Sequence, residues 1–191
     1  GGSGPDELDG GLGTDDFNGN AGDDVLWGGG GAGDVLRGGD GDDILHGSDD
    51  GADSLFGDAG DDRLLGNAGN DQLHGGTGRD ILLGGRGDDT LSGDEGSDLL
   101  LGEGGNDVLY AFRAGAGTDS AVNYLYGDFG TNGNEPDSGG DRLFGSAGND
   151  LLFGEGGDDE LQGGGPSVIL DFGGGEGAVP EDFVPPPVTP D

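Results

Sequence analysis

The chain has 191 residues, of which 52 are glycine and 41 are acidic, set against six arginines and no lysine, for a formal net charge of −35. Only 29% of residues are apolar, too few for a thick globular core, and a composition of this kind ordinarily reads as disorder. Disulfide staples are excluded because there is no cysteine, a membrane-spanning helix because no apolar run approaches about 18 residues, and nucleic acid is a poor electrostatic partner because no basic cluster is present.

A strict period overrides the disorder reading. From residue 1 the chain divides into nines: GGSGPDELD, GGLGTDDFN and GNAGDDVLW occupy residues 1–27. Two ten-residue copies follow at 28–37 and 47–56, with an ordinary nine between them at 38–46. Each longer copy carries its extra residue in the glycine turn and recovers phase by its aspartate, Asp34 or Asp53. Residues 57–110 then read GDAGDDRLL, GNAGNDQLH, GGTGRDILL, GGRGDDTLS, GDEGSDLLL and GEGGNDVLY without a slip. Within these six, position 1 is always Gly, position 4 Gly, position 6 Asp and position 8 Leu. Self-similarity at a fixed short period is the mark of a solenoid.

The pattern breaks at residues 111–117 and resumes weakly at TDSAVNYLY (118–126), with Asn123 in the aspartate slot and Leu125 in the apolar slot. Residues 127–144 span two nines. The first, GDFGTNGNE, lacks an apolar eighth residue, has Asn132 in the aspartate slot and reads as a bulged or looped turn. Two regular copies, GSAGNDLLF and GEGGDDELQ, close the array at residue 162. The expected division is a regular array over 1–110, an irregular continuation over 111–162 with insertions at 111–117 and 127–140, a C-terminal cap at 163–172, and a Gly/Pro-rich disordered linker at 173–191.

Each unit combines a six-residue Gly/Asp turn with a three-residue strand. Alternation along the strand turns position 8 inward and positions 7 and 9 outward. Glycine at positions 1 and 4 is expected to supply positive φ and close approach of the turns. Two units close one coil, so copies i and i+2 stack in parallel at about 4.8 Å. The predicted fold is all-β: a two-sheet, right-handed parallel β-solenoid of about 15–17 half-coils. A leucine ladder runs up each sheet, Leu26, Leu45, Leu64, Leu82 and Leu100 facing Leu36, Leu55, Leu73, Leu91 and Leu109. Stacking also brings the position-6 aspartates of successive coils within a few ångströms, where like charges repel by on the order of several kcal/mol at moderate dielectric. With the turn carbonyls they form an all-oxygen environment suited to a hard divalent cation, calcium more readily than magnesium. The absence of thiolate disfavours a softer metal.

GGTGRDILL, GGSGPDELD and GGRGDDTLS match GGxGxDxUx at every position, and the chain over residues 1–162 resembles the RTX family of haemolysin-type calcium-binding repeats. The resemblance implies a parallel β-roll, on the order of ten Ca²⁺ ions between successive turns, and secretion with folding delayed until extracellular calcium is met. It also implies aspartate side chains and turn carbonyls as ligands. Carried onto this chain, the metal residues are Asp6, Asp15, Asp24, Asp34, Asp43, Asp53, Asp62, Asp71, Asp80, Asp89, Asp98 and Asp107, followed beyond the irregular stretch by Asp141, Asp150 and Asp159. Asp outnumbers Glu 33 to 8, and its confinement to one phase of the repeat is not what a merely solvating surface requires.

Extra acids at position 5 (Asp23, Asp42, Asp61, Asp88, Asp158) read as solvated. His46 and His74 fall at position 9 in copies of opposite parity, hence on opposite sheets, and share no metal. Odd copies carry Val25, Trp27, Ile44, Leu65, Ile81, Leu83, Leu99 and Leu101 on their outer face, whereas even copies are more polar there. That face would meet a flanking domain, the segment 168–172 or a second molecule, unless β-propensity alone explains it. Nothing supplies a nucleophile–base pair, a zinc motif or a cleft, so the expectation is a non-enzymatic, secreted or cell-surface calcium-binding structural module. The alternatives are an accessory module of a secreted hydrolase or polysaccharide-modifying enzyme, and an adhesion or matrix-binding module. A start inside the repeat frame and a Pro-rich ending suggest a fragment of a longer protein.

Overall fold

The computed structural model describes residues 1–31, 33–112, 121–128 and 139–170, excepting the side chain of Leu170. The insertion cores at 113–120 and 129–138, Asn132 and the expected linker at 173–191 lie outside these residues. What is described is a two-sheet parallel β-solenoid of about eight turns.

Strands alternate between the sheets in chain order. The first sheet is built from β1 (Glu7–Asp9), β3 (Val25–Trp27), β5 (Ile44–His46), β7 (Arg63–Ala68), β9 (Ile81–Arg86), β11 (Leu99–Gly104), β13 (Tyr124–Tyr126), β15 (Leu151–Phe153) and β17 (Val168–Leu170), stacked in that order. Between them in sequence lie β2 (Asp16–Ala21), β4 (Val35–Asp40), β6 (Ser54–Ala59), β8 (Gln72–Gly78), β10 (Thr90–Gly96), β12 (Val108–Tyr110), β14 (Arg142–Phe144) and β16 (Glu160–Gln162), which form the second sheet. All pairs are parallel, and position 8 stacks on position 8: Leu64 on Leu82, Leu82 on Leu100, Leu100 on Leu125 and Leu125 on Leu152. This register is required because a shift of one residue would turn every leucine to solvent. Both leucine ladders are fully buried, and Leu8, Phe17 and Leu161 pack partly buried against their ends. The ten-residue copies keep this register, with Leu36 on Leu55 and Leu55 on Leu73, so their extra residues are absorbed in the turn.

Parity after the irregular stretch differs from a count in nines. Two half-coils over 127–144 would return residues 142–144 to the sheet of β13. Instead β14 pairs with β12, in the other sheet. The span therefore adds one half-coil, and the alternating order of the sheets resumes unbroken. The segment expected to cap the array contributes β17, whose Ile169 stacks on Leu152.

Glycine at position 1 plays a role other than the one expected. Positive φ falls at positions 2 and 4, as at Gly76 (119°) and Gly78 (132°), while position 1 is absent from that region. Position 1 is glycine for want of room: a Cβ on Gly66 would stand 2.6 Å from Asp71 Oδ2 and 2.5 Å from the Gly84 carbonyl oxygen. At position 2, six copies hold a non-glycine residue in the left-handed region, Asn20, Asp58, Asn67, Asp94, Glu103 and Glu155.

The outer faces carry position-9 ladders on both sheets. On the first, Trp27 stacks on His46 at 6.0 Å and Tyr126 on Phe153 at 4.6 Å, with Leu65, Leu83 and Leu101 between them in the stack. On the second, Phe56 stacks on His74 at 5.2 Å and Tyr110 on Phe144 at 5.0 Å, with the Arg37 guanidinium 5.1 Å from the Phe56 ring centre. His46 and His74 lie on opposite sheets, in β5 and β8. The second sheet is thus less polar outside than its strands suggest. On the first, Leu101, Tyr126 and Phe153 are buried and Leu65 and Leu83 half-buried.

Candidate metal centre

The turn between strands places the sixth-position carboxylates in two rows, one along each edge of the solenoid. In the row leading to the first sheet, the backbone N–H of Asp24 donates to Oδ1 of Asp43 at 2.7 Å, Asp43 to Asp62 at 2.8 Å, Asp62 to Asp80 at 2.8 Å and Asp80 to Asp98 at 2.9 Å. Asn123 then takes the slot, accepting from Asp98 and donating to Asp150. The other row runs Asp15, Asp34, Asp53, Asp71, Asp89, Asp107, Asp141 and Asp159 with the same bonding. Asp6 begins the first row, its N–H donating to Asp24. All fifteen sequence-predicted aspartates therefore join one of two continuous ladders, and those from Asp24 through Asp150 are buried.

One oxygen of each carboxylate is used this way. The other, Oδ2, is buried without a hydrogen-bond partner among the described residues in Asp15, Asp24, Asp34, Asp43, Asp62, Asp71, Asp80, Asp89, Asp107 and Asp141. A buried polar atom left unpaired costs about 1–3 kcal/mol, more when charged. In most of these copies Oδ2 faces the position-1 carbonyl oxygen of the next coil across a Cβ-less glycine, as Asp71 and Gly84 do at Gly66, Asp80 and Gly93 at Gly75, and Asp107 and Gly127 at Gly102. An unpaired carboxylate oxygen facing a carbonyl oxygen fits a cation, even where, as at Gly127, the carbonyl also accepts a backbone N–H (from Glu103, at 2.8 Å), and hard oxygen donors fit Ca²⁺. Among the described residues no three acidic or histidine side chains converge on one point, so the donor set is one carboxylate oxygen supplemented by backbone carbonyls. Three of the described arginines pair with acids at the surface, Arg37 with Asp16, Arg79 with Asp61 and Arg142 with Glu160.

The position-5 acids also do more than meet solvent. Although exposed, Asp23, Asp42 and Asp61 accept backbone N–H bonds from Asp42, Asp61 and Arg79 of the following coil, and Asn70, Asp88 and Asn106 accept from Asp88, Asn106 and Gly140. These ladders donate in the opposite direction to the sixth-position rows, so adjacent coils are tied by each other's side chains in both senses.

Burial raises the carboxyl pKa values in the metal-free state. Asp43 and Asp71 are pushed up to about 6, Asp80, Asp89 and Asp141 to about 7, and Asp62 and Asp107 to about 8. Desolvation is the main cause. The N–H bond from the preceding coil opposes it, and neighbouring aspartates reinforce it. In the unfolded chain these groups titrate near 4, so between about pH 4 and 8 the folded chain binds more protons and stability falls as pH rises. Without calcium, β-sheet circular dichroism is therefore expected to be strongest near pH 4 and to decline toward pH 8, and calcium is expected to flatten the profile and release protons. A metal-free chain whose β signal grows with pH over this range would contradict the assignment.

One buried acid was not legible in the repeat. Asp128 stands at position 2, is fully buried, accepts backbone hydrogen bonds from Gly139 and Gly156, and is pushed up to about 8 by burial and by Asp141. Asp58 and Asp94 share its slot but sit exposed and half-exposed at positive φ. Only the backbone conformation distinguishes it from them.

A family model for the RTX calcium-binding nonapeptide repeat (4 copies) matches residues 1–33, 33–50, 48–82, 74–109 and 136–165. No curated protein gives a significant match.

Proposed function

Because the chain belongs to the family of RTX calcium-binding nonapeptide repeats, we propose that it is a structural calcium-binding module of a secreted or cell-surface protein, folding as it meets extracellular calcium. The two rows of buried carboxylates carry this reading, most of them leaving one oxygen opposite a backbone carbonyl and, in Asp15, Asp24, Asp62, Asp71, Asp80, Asp89, Asp107 and Asp141, without a donor. Asp15, Asp24, Asp34, Asp43, Asp62, Asp71, Asp80, Asp89, Asp98, Asp107, Asp141 and Asp159 would hold Ca²⁺ together with turn carbonyls, on the order of ten ions in all. Bound calcium supplies only charge neutralisation and oxygen coordination. The chain's own part is to align the carboxylates, keep position 1 free of a Cβ and exclude water from the rows.

No reaction is proposed, since the rows present acceptors and carbonyls rather than a nucleophile beside a base. Secretion follows from the same reading. Extracellular calcium sites bind near 10⁻⁴ to 10⁻³ M, so low cytosolic calcium would leave the polyanion extended. Counting the ions taken up in calorimetric titration tests the proposal. Uptake of several calcium ions per chain, with no comparable heat from magnesium, is expected; a chain that takes up no calcium in the millimolar range would overturn it.

A further inference from the structure

Two of the fifteen aspartates receive both an N–H and a hydroxyl on Oδ2. Asp53 Oδ2 accepts the backbone N–H of Ser48 at 2.7 Å and its hydroxyl at 2.9 Å. Asp150 Oδ2 accepts the backbone N–H of Ser146 at 2.6 Å and its hydroxyl at 3.0 Å. In both copies the serine stands at position 2. The Ser48 hydroxyl also lies 2.8 Å from the Gly31 carbonyl oxygen, so this serine spans the carboxylate and a carbonyl of the preceding coil.

The backbone explains the difference. Where Oδ2 of Asp15, Asp24, Asp34, Asp43, Asp62, Asp71, Asp80, Asp89 and Asp107 lacks a donor, position 2 of the same copy is left-handed: Gly11, Asn20, Gly29, Gly39, Asp58, Asn67, Gly76, Gly85 and Glu103, with φ between 74° and 120°; Asp141 is the exception, its Oδ2 lacking a donor although Asp128 at position 2 is outside that region. Ser48 and Ser146 are outside that region, and their N–H groups turn onto the carboxylate. Gly2, likewise outside it, also donates its N–H to Asp6 Oδ2, at 2.5 Å. Turn length is not the cause. Both ten-residue copies carry the extra residue, yet Asp34 in one lacks a donor and Asp53 in the other has two.

We propose that Ser48 and Ser146 stand in for the cation in their copies, so that the second row is broken at Asp53 and the first, which already holds Asn123 in place of an aspartate, is closed off at its last aspartate, Asp150. This rests on the calcium reading above. An N–H and an O–H aimed at the carboxylate place partial positive charge where the ion's charge would act and satisfy the oxygen it would use. A proton-bearing donor pointed at that position also repels a cation. The position-2 residue thus sets how many ions the array takes and where its rows break. Both interruptions are fixed in the chain and independent of calcium concentration.

The test is the calcium stoichiometry of the full chain, measured by native mass spectrometry and calorimetry with Ca²⁺ alone, for the parent, Ser48→Gly, Ser48→Asn and Ser146→Gly. Gly and Asn are residues this chain already holds at positive φ in that slot. Each single variant is expected to bind one ion more than the parent, and the Ser48→Gly/Ser146→Gly pair two more, with β-sheet circular dichroism in calcium unchanged. Equal ion counts in parent and variants, with the β signal intact, would overturn the inference and leave the calcium reading standing. A parent that binds no calcium would instead overturn that reading and this inference with it. If Ser48→Gly fails to fold, Ser48→Asn and Ser146→Gly decide the matter.

Discussion

In excess chelator at pH 7.5 the chain is expected to lose its β-sheet circular dichroism, and calcium is expected to restore it in one steep transition. With a net charge of −35, the folded roll concentrates carboxylates in two buried rows, whereas the extended chain keeps them apart in water. At neutral pH the metal-free fold must either protonate those groups or hold like charges a few ångströms apart, at a cost on the order of several kcal/mol per close pair at moderate dielectric. Ions that bind only the folded chain contribute about 1.4 kcal/mol per site at a tenfold excess over Kd and about 2.7 at a hundredfold excess. On the order of ten such sites acting together outweigh the marginal stability of a small domain, about 5–15 kcal/mol. The steepness follows from geometry, since each carboxylate accepts a hydrogen bond from the preceding coil and ordering one turn presents the following site. A β signal already maximal in excess EDTA at pH 7.5 would remove the basis for ion-coupled folding. So would a shallow rise fitting a single site.

Gly75→Ala is expected to abolish the fold, or to cost on the order of 4 kcal/mol or more, a loss found only where a substitution meets a specific structural obstacle. Gly75 is at position 1 of a central copy, outside the left-handed region. Judged by backbone conformation alone, alanine would be tolerated there and would stabilise by about 0.4–1 kcal/mol through the unfolded chain. Packing decides otherwise. The added Cβ would collide with Asp80 Oδ2 and stand 2.7 Å from the Gly93 carbonyl oxygen, filling the cradle assigned to the ion. Neither atom can withdraw, because the Asp80 carboxylate is tied through Oδ1 to the Asp62 N–H and Gly93 belongs to β10. Gly30→Ala is the control: at Gly30 a Cβ would meet only a leucine methyl at 3.2 Å and a carbonyl oxygen at 3.8 Å. Thermal melts in saturating calcium should place Gly30→Ala near the parent and Gly75→Ala far below it. Equal midpoints would show that position 1 is glycine for some other reason than lack of space.

What the amino-acid sequence determined alone is everything that repeats. An invariant eighth leucine, glycines at fixed offsets and aspartate locked to position 6 specify a two-sheet solenoid with a buried ladder and acidic edges. A period of nine leaves no other way to bury that leucine in every copy. His46 and His74 could be placed on opposite sheets by counting, because parity is also a property of the period. The tertiary structure decided what departs from the period. Residues 127–144 add one half-coil rather than two, since the register of β14 is set by β12, more than thirty residues earlier, and not by the local count. The sign of φ at position 2 separates Ser48 and Ser146 from their counterparts and Asp128 from Asp58 and Asp94. The conformation there answers to the carboxylate, carbonyls and adjacent coil around it, which lie beyond any nine-residue window. Position 1 shows the same division: its glycine is plain in the sequence, but that it gives room to a carboxylate oxygen and a carbonyl of the next coil is known only once the coils are stacked.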